Sequence, residues 1–117
     1  MQIHLAVGGT VIPATLENSQ ASRDFAALLP LTLTLTDYAG TEKVSNLPTR
    51  LSTASSPEGV DPDIGDITYY APWGNLAIFY RDFGYARGLV KLGHIDADIN
   101  TFTRAEGGLT VTITSAG

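Results

Sequence analysis

The sequence contains no cysteine, which excludes disulfide staples, a thiol nucleophile and a cysteine-ligated metal. The absence fits a reducing compartment. Basic residues are also scarce, seven against twelve acidic ones, so the formal net charge is −5 and the pI near 4.7. Such a surface repels phosphate backbones and anionic lipids, so neither nucleic acid nor a membrane is expected as a partner. Long apolar runs are missing too. The opening MQIHLAVGGTVIP has no basic segment ahead of its apolar residues and breaks at Gly8 and Gly9, well short of the roughly 18 residues of a membrane span. The expectation is a soluble, cytoplasmic protein. No P-loop, G-x-G-x-x-G, H-E-x-x-H or G-x-S-x-G occurs, and with His4 and His94 the only imidazoles a serine triad has little to draw on. No cofactor is expected, and no catalytic residue can be assigned.

What is present is the composition of a folded protein, 44% apolar and 16% charged. At 117 residues the chain has the size of one compact domain, so residues 1–117 are expected to form a single one. Ile3, Leu5 and Val7 alternate with His4 and Ala6, and after Gly8-Gly9 a second run extends from Thr10 to Leu16, predicting a hairpin with His4 on its outer side. In ENSQASRDFAALLP, Ala21, Phe25, Leu28 and Leu29 recur at helical spacing, with Asn18 or Ser19 as cap and Pro30 as stop. LTLTLT, residues 31–36, alternates as a half-buried strand, and Asp37 to Gly40 follows as a turn. Residues 53–63 read as a loop. Strands are expected at 66–71 and 76–80 around the turn PWGN, then at LVKLGHI and at the closing LTVTIT, with one or two helical turns in DINTFTRAEGG. Strand after strand with one clear helix favours an all-β barrel or sandwich.

The order of these elements resembles a cyclophilin. IHLAVGGTVIPATLENSQASRDFAALLP is similar to the cyclophilin start, where a hairpin leads through a V-P-K-T-A-E-N-F-R-A-L-like helix, with Phe25 at the helix's aromatic position. LVKLGHIDADINTFTRAEGGLTVTIT resembles the run V-V-F-G-K-V, a short helix and a closing strand, with Gly93 at the glycine. The middle, GDITYYAPWGNLAIFY, is similar to small bacterial and archaeal cyclophilin-like proteins of unsettled activity. The resemblance implies a closed cyclophilin-like β-barrel of about eight strands with one capping α-helix. It also raises peptidyl-prolyl cis-trans isomerisation, which needs a donor to polarise the prolyl amide. GNLAIFY falls where the family's G-S-Q-F-F-I motif would be, so Leu76 or Ala77 takes the glutamine position while Phe79 keeps an aromatic; Arg50 is the arginine between residues 41 and 64, and the histidine before V-V-F-G is replaced by Gly88 or Leu89.

Seven of the ten aromatic residues lie between Gly65 and Tyr85. Alternation puts Ile67, Tyr69 and Ala71 on one side and Thr68 and Tyr70 on the other, then Leu76, Ile78 and Tyr80 against Ala77 and Phe79. One set fills a barrel, so the other must meet a helix, a loop or a ligand. Trp73, between Pro72 and Gly74, either closes a barrel end or joins Tyr70, Phe79, Phe83 and Tyr85 as the walls of a pocket, with Arg81 and Arg87 as polar anchors or as paired surface charges. The expected ligand is a small molecule or a short peptide, proline-containing ones included. His94, Asp96 and Asp98 alternate as metal ligands can, but known sites usually draw on more than one strand, so a solvated edge or helix caps is the reading and no metal is expected. DPDIGD lacks the spacing of a calcium loop and reads as a turn.

Overall fold

The computed structural model describes residues 1–100 and 108–116. Alternation builds its first hairpin: β1 (Gln2–Val7) and β2 (Thr10–Leu16) pair with Val7 opposite Thr10, and Gly8 takes the positive φ of 58° that so tight a connection needs. Ser19 caps α1 (Gln20–Ala26) by accepting from the backbone N–H of Ser22 at 3.1 Å. Ala21 and Phe25, one turn apart, enter the core, and the Ser22 hydroxyl donates to the Leu92 carbonyl at 2.8 Å. The helix is thus held to the barrel by an apolar face and a buried hydrogen bond.

β3 (Leu31–Tyr38) runs two residues beyond the LTLTLT stretch, because Asp37 and Tyr38 pair with Lys43 and Glu42 of β4 (Glu42–Asn46). Sequence patterning does not reveal β4: EKVSN holds one apolar residue, and its strand conformation is imposed by pairing with β3 on one side and β7 (Asn75–Phe79) on the other. β6 (Asp66–Tyr70), β9 (Leu89–Ile95) and β10 (Leu109–Ser115) complete a closed antiparallel barrel in the order β1-β10-β3-β4-β7-β6-β9-β2. Two further short strands, β5 (Gly59–Val60) within the expected loop and β8 (Ala86–Arg87), pair with each other outside it. Most of DINTFTRAEGG lies outside the described residues.

Inward side chains such as Ile3, Leu5, Ile67, Tyr69, Leu76 and Ile78 form the main core. LVKLGHI alternates imperfectly, and a bulge opposite Ile67 and Thr68 explains why: Ile67 pairs with Gly93 but Thr68 with Lys91, so Leu92 is the extra residue. Ile95 and Leu92, three apart, are therefore both buried in the main core. Gly93 permits the close approach of β2, since a Cβ there would collide with the Thr15 carbonyl oxygen and lie 3.0 Å from Leu16 Cα. Among the described residues no helix is long and apolar enough to cross a membrane.

Candidate binding groove

The register decides what the second aromatic face meets. Glu42 pairs with Phe79, Val44 with Ala77, Asn46 with Asn75, and Tyr70 with both Asn75 and Leu89. Strand alternation places these residues on the outer wall of the barrel, opposite Ile67, Tyr69, Leu76 and Ile78. There Ala77, Phe79 and Leu89 form a second buried cluster, with Val44, Val60, Tyr70 and Ala86 packed against it. Val60 and Ala86 belong to the β5-β8 pair, which lies over this wall as a strap. It is fastened by Gly88 N–H to the Glu58 carbonyl at 2.7 Å and by Ala71 N–H to the Gly88 carbonyl at 2.9 Å. Gly88 has φ of 87° and lies so close to Pro72 that a Cβ would be 2.9 Å from Pro72 Cδ.

Beside the strap the wall opens into a cavity of about 390 Å³. Phe79, 1% exposed, lines its buried part together with Glu42 and Asn75. Trp73 meets Tyr70 edge to face, with centroids 5.3 Å apart, and Tyr38 in the same manner at 5.7 Å. Phe83 packs on Phe79 at 5.5 Å, and Tyr85 also lines the opening. Trp73 is 59% exposed, so it does not close a barrel end; Tyr38, Phe83 and Tyr85 are likewise exposed around the same cavity.

Six of the seven expected site residues therefore share one cavity: Tyr70, Trp73, Phe79, Phe83, Tyr85 and Arg87. Arg81 does not join them, and its guanidinium lies over the Tyr80 ring at 5.9 Å. Arg87 reaches the exposed carboxylate of Glu58 at 3.7 Å, an ion pair in full contact with water. Tyr38, Glu42 and Asn75 were not legible as site residues. In the sequence the first falls in a turn pattern, the second lies on the strand that patterning misses, and Asn75 falls at the end of the turn PWGN.

The electrostatics of this flank are uneven. Burial pushes the Glu42 carboxyl above its ordinary range, against a hydrogen bond from the Thr41 hydroxyl at 3.1 Å, and Asp37 adds repulsion. Asp37 is shifted the other way, chiefly by the hydrogen bond it accepts from the Tyr80 hydroxyl. Burial and that same bond raise Tyr80 to about 12. Asn75 donates from Nδ2 to the Leu76 carbonyl at 3.5 Å, while its buried Oδ1 has no hydrogen-bond partner among the described residues.

A larger cleft of about 500 Å³ runs along the start of α1, lined by Glu17, Arg23, Ser55 and Lys91 among others. Its cations are already engaged, Lys91 with Glu17 at 3.7 Å and Asp66 at 3.5 Å, and Arg23 with Asn18 at 2.7 Å; among the described residues no aromatic ring lines it. The residues considered as metal ligands are also held apart. His94 Nδ1 is 2.8 Å from Asp66 Oδ1, Asp96 accepts from the Thr15 hydroxyl at 2.6 Å, and Asp98 accepts from the Asn100 backbone N–H at 3.0 Å. Arg50 donates to the Ala71 carbonyl at 2.8 Å and does not line the aromatic cavity.

A closed eight-stranded antiparallel barrel with a short helix packed into its core is a cyclophilin-like architecture. The chain belongs to the cyclophilin-like family, whose sequence profile matches residues 5–114. A hypothetical protein from Archaeoglobus fulgidus has a solution structure with the same fold, at a TM-score of 0.69 and 16% identity over 99% of this chain and 95% of that one. No curated protein matches the sequence.

Proposed function

We propose that the domain is a binding module whose outer groove takes a small molecule or a short extended peptide. The observation that carries this reading is the gathering of exposed rings: Tyr38, Trp73, Phe83 and Tyr85 are left in water around one cavity instead of being scattered over the surface. Its volume of about 390 Å³ falls within the range of small-ligand sites, and aromatic walls with a few polar groups are how such sites are built. The cysteine-free, acidic composition supports a cytoplasmic setting without nucleic acid. Proline isomerisation has less support, because Arg50 is engaged on the Ala71 carbonyl and the fully buried Leu76 side chain belongs to the barrel core.

One NMR experiment separates the two. Short Xaa-Pro peptides are mixed with catalytic amounts of protein, and cis–trans exchange, which takes tens to hundreds of seconds uncatalysed, is read directly. Exchange is expected to stay at the uncatalysed rate, while at stoichiometric protein a bound peptide or small aromatic probe shifts the Trp73 indole and Phe79 resonances. Accelerated exchange that disappears in Phe79→Ala would replace the binding reading with an isomerase.

A further inference from the structure

The pairing of β3, β4 and β7 sets Tyr38, Glu42 and Phe79 in one row, with Glu42 directly opposite Tyr38 on one side and Phe79 on the other. All three line the groove, and opposite residues on one face of a sheet bring their Cβ atoms to about 4.5–5.5 Å. Glu42 therefore stands between two ring-bearing side chains, and Phe83 extends the second by packing on Phe79. Glu42 is 9% exposed, and the Thr41 hydroxyl donates to its Oε2 at 3.1 Å. Its Oε1 has no donor among the described residues, yet the buried side-chain polar atom without a partner is Asn75 Oδ1, so Glu42 Oε1 retains accessible surface. Among the described residues no cation pairs with Glu42. Lys43 reaches Asp37 at 3.6 Å, Arg81 lies over the Tyr80 ring, and Arg87, at the exposed side of the cavity, pairs with Glu58. Burial raises the Glu42 carboxyl and Asp37 adds repulsion, as befits a negative charge without compensation.

A carboxylate between rings suits a cation whose faces need no hydrogen bond. An ammonium is strongly hydrated and carries three donors, whereas this end of the groove offers it one carboxylate oxygen without a donor. A guanidinium is more weakly hydrated, donates along its edge and stacks its planar faces on rings. Resting on the binding reading above, we propose that the Glu42 end of the groove recognises a guanidinium group, its edge donating to Oε1 and its faces lying against Tyr38 and Phe83. The remaining donors stay in water, because Tyr38 and Phe83 are themselves exposed at the opening. The stem runs along the β4-β7 pair toward Trp73 and Tyr70, which is opposite Asn75 at the other end of that pair. The net charge of −5 favours the approach of a cation and disfavours that of an anion.

The test is an NMR titration at neutral pH with benzylguanidinium, its neutral isostere benzylurea, and benzylammonium. Benzylguanidinium is expected to bind about tenfold more tightly than benzylurea, with benzylammonium between them. It is also expected to shift the Glu42 side-chain carboxyl carbon, and its advantage over the urea is expected to vanish in Glu42→Gln. A guanidinium probe no tighter than the urea, or weaker than the ammonium, overturns the proposal and leaves the groove as a site of another chemistry. An advantage that persists in Glu42→Gln overturns it too, since the net charge alone would then attract the cation. If no probe perturbs the Trp73 or Phe79 resonances, the groove reading fails as well. Should Glu42→Gln not fold, the probe comparison and the Glu42 carboxyl shift on the unmodified protein still decide. A further arm compares N-acetyl-arginine N-methylamide with its citrulline counterpart. Tighter binding of the arginine form identifies the guanidinium as one carried on a peptide; equal binding, with benzylguanidinium still preferred over the urea, identifies a free small molecule.

Discussion

Trp73 is the chain's sole tryptophan, yet it contributes little burial: 59% of it is exposed and its neighbours Tyr38 and Tyr70 touch it by edge-to-face contact. Trp73→Ala is therefore expected to cost about 1–2 kcal/mol, the scale of aromatic pair contacts. Phe25→Ala empties the core beneath α1 and is expected to cost about 3–5 kcal/mol. Urea unfolding followed by circular dichroism measures both, and similar costs would make Trp73 a structural residue. Glu42 makes a second prediction at this scale. Because its carboxyl is shifted upward in the folded state, its contribution to stability is fully present below the unfolded value and is lost as pH rises through the folded one. Glu42→Gln should then melt at a higher temperature than the parent near pH 7, with the gap narrowing as both are taken below pH 4. A gap independent of pH would mean that ionisation of Glu42 is not what the fold opposes.

At the scale of elements, the bulge in β9 and Gly93 beside it settle how β6, β9 and β2 fit together. The bulge changes which residues of LVKLGHI point inward, so that Val90, Leu92 and Ile95 all reach the core. Gly93 lets β2 pass where a side chain would strike the Thr15 carbonyl. Gly93→Ala is expected to cost about 1–3 kcal/mol by overpacking, with amide shifts concentrated at Thr15 and Leu16. A neutral substitution would show that β2 can yield. The strap is a different kind of element. β5 and β8 have two residues each and exist because Val60 and Ala86 have the outer apolar wall to cover.

At the scale of the molecule, hairpin, helix and barrel strands were legible wherever a side chain's environment followed from its own position. Ile3, Leu5 and Val7 have one dry face, Ala21 and Phe25 share a helical stripe, and Leu31, Leu33 and Leu35 need a core on one side only. The aromatic content of residues 65–85 also required that something outside the barrel meet Tyr70 and Phe79. Which partners met them was not legible. Glu42 and Asn75 look like ordinary polar residues in their local sequence, and they become buried residues along an aromatic cavity because β4 pairs with β7 at one particular register. Arg81 and Arg87 are six positions apart in the chain, yet one lies over Tyr80 and the other at the cavity.

The sequence by itself determined the class of fold and the existence of a two-sided apolar wall, because burial patterns repeat along the chain at the period of the strand. The tertiary structure alone decided the groove, its exposed rings and the charge of its buried part. Those depend on cross-strand register and on a strap contributed by residues 59–60 and 86–87, contacts between distant segments whose spacing along the chain carries no period to read.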